Sequence, residues 1–259
     1  MDSKPVPWFA PKVSPALNTI VRNLGHRVDK SKGDVLYETG SMFERLMYVQ
    51  SGTAARAVLM PGFEDTPFFV LLALQGSLIG CVETLYSKDS VMRRQWAVNN
   101  CEVLTIPKEI LLKLADHEPS WHKELAGYNA ATTLADRIGL MVTREGDPHQ
   151  RLGSFIYAYC SRSSLPIDEE LRDEKKDWLA LPSFPPRKLI GQVIGCETSL
   201  IDKVIEDWQN EGSLKKIHRN ALMRSEEPSC ASTFTGCSAS SEPGMVFRGQ
   251  FLTLKRRLT

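Results

Sequence analysis

The stretch Arg187-Lys188-Leu189-Ile190-Gly191-Gln192-Val193-Ile194-Gly195-Cys196-Glu197-Thr198-Ser199-Leu200-Ile201-Asp202-Lys203-Val204-Ile205 reads as two short helices joined by a tight turn. Ile190, Val193 and Ile194 give the first helix one apolar edge; Ile201, Val204, Ile205 and Trp208 give the second its own. Gly191 is small where a second helix must cross closely, and Gly195 suits a turn that needs a positive φ. Thr198, Ser199, Asp202 and Lys203 are left outward, where base edges or phosphates lie when such a helix enters a major groove. The pattern predicts a DNA-binding helix-turn-helix over residues 187 to about 205. Helix pairs of this kind also occur in proteins that never meet DNA, so the flanking sequence has to decide.

Downstream, Ser213 to Arg224 reads as a strand, a turn and a second strand, basic and free of acidic residues. Lys215, Lys216 and Arg219 of such a wing would grip the phosphate backbone, which rewards clustered cations without specifying sequence. Arg187, Lys188, Thr198, Ser199 and Lys203 complete the candidate DNA contacts. Glu197, Asp202, Glu206 and Asp207 make the second helix acidic, which opposes phosphate binding, although Glu197 also suits a helix start.

Upstream, from Gly33 to about Ile106, glycines punctuate short stretches rich in Val, Leu, Tyr and Phe. The expected strands are Asp34 to Tyr37, Leu46 to Gln50, Ala54 to Met60, Phe68 to Leu74, Gln95 to Val98 and Val103 to Pro107. Short strands at these intervals suggest a small all-β barrel or sandwich. Helices follow at Lys108 to His117, at Pro119 to about Arg144 and at residues 150–163, the last with Leu152, Phe155, Ile156 and Tyr159 inward. On the long helix Trp121, Leu125, Tyr128, Thr132, Ala135, Ile138 and Val142 form one apolar stripe at spacings of three and four. Two readings of that stripe stand: packing on the β domain of the same chain, or a parallel helix pair in a homodimer. Glu169 to Lys176 reads as a solvated loop. From Ser225 the composition turns to Ser, Cys, Gly, Thr and Pro with no apolar period, which predicts a poorly ordered tail and also fits a shifted reading frame.

The 259 residues suffice for a sizeable core and two folded units, with 42% hydrophobic and 24% charged residues, as in a soluble globular protein. No apolar run approaches the roughly 18 to 20 residues of a membrane span, and the first thirty residues lack the features of a secretory signal. The expected location is therefore the cytoplasm, where the six cysteines stay mostly reduced. A net charge of +1 means that any surface for nucleic acid must be local. Neither a CxxC pair nor a His-x-His pair is present, so a zinc ribbon and the metal site of a cupin-like enzyme are both unsupported. His117 and His122 carry only a weak suggestion of metal, and Cys81 and Cys101 read as small buried residues rather than redox switches. We expect no enzyme, no metal and no required cofactor.

Ile190 to Cys196 is similar to the first helix and turn of the cyclic-AMP receptor protein and its relatives, the superfamily that includes the fumarate-nitrate regulator and the haloaromatic-sensing regulators. The order of parts agrees over residues 20 to 224: a β-roll with Lys32-Gly33-Asp34 leading a strand and Gly40 and Gly52 in turns, a long helix, then a winged helix. The resemblance implies an α+β chain. An N-terminal β-roll of the cyclic-nucleotide-binding type spans 1–117, a dimerisation helix 118–146, a winged helix-turn-helix 147–224, and a Ser-rich tail 225–259. The dimer-helix residues are then Leu125, Tyr128, Thr132, Ala135, Ile138 and Val142. It further implies a homodimeric transcription regulator on two-fold symmetric double-stranded DNA, controlled by an effector in the roll, with RNA polymerase as a further partner.

Nucleotide-binding relatives use a Gly-Glu pair for the ribose and an Arg-Ser pair for the phosphate; here Gly80 is followed by Cys81 and Arg94 by Gln95. A site built around a missing bond discriminates strongly, so cyclic AMP is not the expected effector. Gly76 to Gly80 resembles the haloaromatic branch, which implies an aromatic acid or phenol. Its expected contacts are Leu78, Gly80, Cys81, Glu83, Arg93, Arg94, Gln95 and Trp96, with the two arginines as anion clamps. The alternative reading, two solvated loop arginines, stays open. So does a second functional class: a ligand-binding or interaction protein whose output domain no longer binds DNA.

Overall fold

The computed structural model describes residues 5–58, 67, 69–80, 91, 93–163, 178–217 and 220–224. Ser14 caps a first helix, α1 (Pro15–Leu24), by accepting from the Leu17 N–H, with Pro15 in the first turn and Leu17 and Val21 buried. Eight strands follow: β1 (His26–Lys30), β2 (Val35–Tyr37), β3 (Arg45–Ser51), β4 (Ala54–Val58), β5 (Phe69–Ala73), β6 (Leu78–Ile79), β7 (Arg94–Ala97) and β8 (Cys101–Pro107). They form two antiparallel sheets, ordered β1-β8-β3-β6 and β2-β7-β4-β5, so that neighbours in sequence repeatedly change sheet. This is the β-roll. The six expected strands lie where periodicity placed them, within a residue or two over the described positions. The unexpected β1 has the sequence HRVDK and buries none of its residues, so it carries no apolar alternation to read.

The roll leads into α2 (Lys108–His117), the 26-residue α3 (Ser120–Glu145) and α4 (Pro148–Arg162). Asp147 and Gln150 form a reciprocal capping box at the start of α4, which fixes the break between the two helices. Then come β9 (Trp178–Ala180), α5 (Arg187–Ile194), α6 (Thr198–Asn210), β10 (Leu214–Ile217) and β11 (Asn220–Arg224), with the strands in one antiparallel sheet ordered β10-β11-β9. The C-terminal part is thus a winged helix-turn-helix. Its core is continuous with that of the roll, running from Val6 to Leu214.

The apolar stripe of α3 is covered by the same chain. Leu125, Tyr128, Thr132, Ala135 and Ile138 are buried and Val142 is half-buried. Tyr128 accepts from the Leu78 N–H at 2.8 Å and donates back to the Leu78 carbonyl at 3.3 Å, pinning α3 to β6. The dimer-helix assignment of these residues is therefore corrected: of the two readings, packing on the roll is the one that this face fulfils, and a face filled from within cannot also be a seam.

Residues 5–13, for which the sequence suggested no structure, form a strap beside β5, with a turn at Pro7 and Trp8 closed by a Val6–Phe9 bridge. Leu72 donates to the Trp8 carbonyl and accepts from the Ala10 N–H, both at 2.8 Å. With the strap along it and α5 packed against it, β5 is buried at every position. The expected loop at Glu169 to Lys176 and the tail from Ser225 lie outside the described residues.

Candidate nucleic-acid interface and effector site

Gly195 ends α5 in the left-handed region (φ 64°, ψ 41°), and its N–H closes the helix on the Gly191 carbonyl. A Cβ at Gly191 would stand 2.5 Å from the Cys196 carbonyl oxygen, so α5 and α6 can cross here only through glycine. Ile190, Val193 and Ile194 of α5 meet Ile201, Val204 and Trp208 of α6 in the core, while Ile205 is half-buried. The turn is held from outside: Arg151 of α4 donates to the Gly195 carbonyl at 3.0 Å and to the Gly146 carbonyl at 2.7 Å.

This scaffold leaves Thr198, Ser199, Leu200, Asp202 and Lys203 exposed on α6, with Arg187 and Lys188 exposed at the start of α5. The sequence-predicted contacts of the two helices are thus all exposed. One of them is not a free cation. The Arg187 guanidinium forms an ion pair with Asp202 across the two helices. Glu197 stands at the N-cap of α6 without a side-chain bond to it, and Asp207 faces His149 at 3.3 Å. Lys215 and Lys216 lie on β10, paired with Leu222 and Ala221 of β11; Arg219 lies outside the described residues.

At the junction of roll and long helix, Asp136 of α3 is buried and its Oδ2 accepts from two guanidiniums, Arg56 of β4 at 2.9 Å and Arg93 at 2.8 Å. Nearby, the fully buried Gln95 accepts from the Gly80 N–H at 2.8 Å, tying β7 to the end of β6. Tyr128 sits within this region, its phenol pushed up to about 12, chiefly by burial.

The arrangement corrects the expected effector clamp. Arg93 and Arg94 do not act together: Arg93 turns to Asp136, whereas Arg94 lies 3.4 Å from Glu38. Side chains alternate along β7, so Arg94 and Trp96 share one half-exposed face while Gln95 and Ala97 point to the core. The second arginine on the α3 side is Arg56. Leu78 is bonded to Tyr128 of α3 and Gly80 to Gln95; Cys81 and Glu83 lie outside the described residues. Arg56 and Asp136 went unnoticed in the sequence, yet each is a lone charge on an otherwise apolar face, Ala54-Ala55-Arg56-Ala57-Val58 and Ala135-Asp136. Cys101 is buried, its thiol donating to the Thr53 carbonyl at 3.1 Å and pushed up by burial. Among the described residues no cluster of His, Cys, Asp and Glu could hold a metal ion, and no helix is long and apolar enough to cross a membrane.

No protein-family model matches the chain, and no curated protein matches it in sequence. Solved structures do. FixK2 from Bradyrhizobium japonicum is 15% identical, with 78% of this chain and 92% of that one covered at a TM-score of 0.63. CprK complexed with OCPA is 16% identical over 84% and 94%, at 0.59. A putative transcriptional regulator of the CRP/FNR family from Eubacterium rectale is 13% identical over 82% and 90%, at 0.54. The likeness runs through roll, long helix and winged helix alike, and the chain has the fold of the CRP/FNR regulators.

Proposed function

We propose that the chain is a cytoplasmic, homodimeric transcription regulator of the CRP/FNR type, not an enzyme. An effector bound at the roll changes how two winged helices meet a two-fold DNA site. The observation that carries this reading is the outward surface of α5 and α6: its scaffold residues are locked, while Lys188, Thr198, Ser199 and Lys203 stand free of the core. Backbone contacts fall to Lys215, Lys216 and Arg219 of the wing. The units are a roll to residue 117, a connecting helix to 146, an output domain to 224 and a tail. RNA polymerase is a further partner in this reading.

The seam between two copies lies on the outer side of α3. Ala126, Ala130, Thr133, Arg137 and Leu140 are exposed at alternating spacings of four and three, flanked by the exposed Met141. That spacing is the period of a helix pair, and its small residues permit close approach. The effector is an anion with an apolar body, an aromatic acid or phenol rather than cyclic AMP, seated beside Leu78, Gly80 and Gln95 and answered by Arg93 with Arg56.

Two measurements test the reading. A gel shift at low and high salt, with fragments from upstream of the coding region, should show binding that weakens with salt and is reduced by Lys203→Ala. Calorimetric titration with chlorinated phenols and with cyclic nucleotides should give heat with the former; tight cyclic-AMP binding overturns the effector assignment. The second functional reading, an output domain that has lost DNA, is favoured by the Arg187 to Asp202 ion pair and by the acids on α6. It predicts an intact dimer with no shift at low salt.

A further inference from the structure

We propose that Trp8 and Phe9 are positioning residues for DNA binding: the N-terminal strap is the keystone that sets the pose of the winged helix against the roll. The inference rests on the regulator reading and adds to it a part of the chain remote from both DNA and effector.

The strap touches three bodies at once. Its backbone lies along β5 through the two Leu72 hydrogen bonds, and the Ser77 hydroxyl donates to the Ala10 carbonyl. The Trp8 indole reaches the last turns of α3, donating from Nε1 to Thr143 Oγ1 at 3.2 Å. The α3 surface is shaped for that ring, because a Cβ at Gly139 would stand 2.7 Å from Trp8 Cδ1. Phe9 meets the output domain, with ring centroids 5.5 Å from Phe155 and 5.9 Å from Tyr159 of α4; Tyr159 in turn lies 5.0 Å from Phe184, three residues before α5. Trp8 and Phe9 are both fully buried.

The path to the DNA-binding turn is short. Thr143, which accepts from Trp8, also abuts Gly195, where a Cβ would lie 2.8 Å from Thr143 Cγ2. The indole therefore stands one side chain away from the helix-turn-helix turn, at the break between α3 and α4 where any change of pose must pivot. Among the described residues Trp8 is also the non-glycine residue with a positive φ, 61°, in the turn that the Val6–Phe9 bridge closes. Such a conformation persists only where the surroundings over-determine it, and it concentrates at switch regions. Packing of this kind is bistable rather than continuously deformable, so losing the wedge changes which pose is populated.

The test uses the full chain and three substitutions. Trp8→Ala removes the wedge; Gly139→Ala pushes on it from α3 while leaving the strap intact; Thr143→Val keeps the side-chain volume but removes the bond from Trp8, together with the hydroxyl's own bond back to the Gly139 carbonyl. Amide hydrogen exchange is followed in β8, β5 and α5, together with affinity for the fragment that the parent chain binds and for the same site with altered half-site separation. The expected result for Trp8→Ala and Gly139→Ala is faster exchange in β5 and α5 with β8 unchanged. Affinity should fall on the order of 10-fold, the salt slope should be unchanged and the preferred separation shifted. Thr143→Val should give the same pattern at about threefold, chiefly for the bond from Trp8, since the hydroxyl's bond back to its own helix adds little, and it carries the test if the larger changes prevent folding. Unchanged exchange and affinity overturn the proposal, as does a loss uniform over all separations with exchange raised equally in β8, the signature of plain destabilisation. A parent chain that binds no DNA refutes the regulator reading, and the exchange pattern then decides the keystone by itself.

Discussion

The helix-turn-helix and the ion cluster at the roll are both tightly determined, but over different distances. In the former, Gly191, Gly195, Cys196 and Ile201 constrain one another within about a dozen positions, and each constraint is steric. In the latter, Arg56, Arg93 and Asp136 are spread over 80 positions and meet only because β4, β7 and α3 have already assembled. Short-range steric rules leave a pattern in the sequence; a buried ion pair between distant elements leaves only a charge where an apolar residue would otherwise stand.

The strongest way to break the comparison is Asp136→Ala. It removes the carboxylate that two largely buried guanidiniums share and should lower the unfolding free energy by about 3–5 kcal/mol, the cost of breaking a buried ion pair from one side, measured by urea denaturation. A much smaller loss would mean that the cluster is solvated and the junction loose. Gly191→Ala comes next, at about 1–3 kcal/mol for overpacking into a backbone carbonyl. This loss should appear in the output domain, as faster exchange in α5 and α6 with the roll unaffected.

Alkaline pH probes the buried groups of both regions. Burial holds Tyr128 and the Cys160 thiol of α4 protonated in the folded chain, each up to about 12, while the unfolded chain releases those protons nearer their ordinary values of 10 and 9. The unfolded state then binds fewer protons, so stability is fully present below about pH 9 and declines as pH rises toward 12. Denaturation midpoints from pH 8 to 11 should fall, and fall less steeply in Cys160→Ala. The smallest effect on stability belongs to Asp202→Ala. Its ion pair with Arg187 is exposed on both sides, so the loss should be under about 1 kcal/mol. DNA affinity should nevertheless rise, with the salt dependence steeper by about one phosphate contact, read by fluorescence anisotropy over a salt series. A weaker or unchanged affinity would show that Arg187 does not reach DNA.

Most of the fold was legible. Alternation and glycine punctuation located the main strands, and the threefold and fourfold spacing on α3 gave its buried face, since those signals reflect contacts that repeat along one element. The partner of that face was not legible, because an apolar stripe looks the same whether a roll or a second chain covers it. The outer stripe from Ala126 to Leu140 escaped notice for the opposite reason: alanine and threonine carry too little hydrophobic contrast. Around the ion cluster, the pairing of Arg93 with Arg94 was not legible: Arg93 precedes β7 and turns to Asp136, whereas Arg94, the first residue of β7, faces Glu38 on the half-exposed side. The strap was missed entirely. Its four prolines among residues 5–15 obscure any period, although the Ser14-Pro15 start signal for α1 was there to be read.

The strap has one more consequence, for behaviour in concentrated solution. Among the described residues β5 is the last strand of its sheet, and an unpaired sheet edge is a template for pairing with another molecule. Here the strap occupies that edge at Leu72, where Trp8 and Ala10 take up its N–H and carbonyl. Shortening the chain at its N-terminus would bare Phe69-Val70-Leu71-Leu72-Ala73, five consecutive apolar residues on an open edge. A trimmed chain should therefore lose solubility and exchange strands between molecules before it loses its helices, which makes the strap of residues 5–13 the chain's own guard against aggregation.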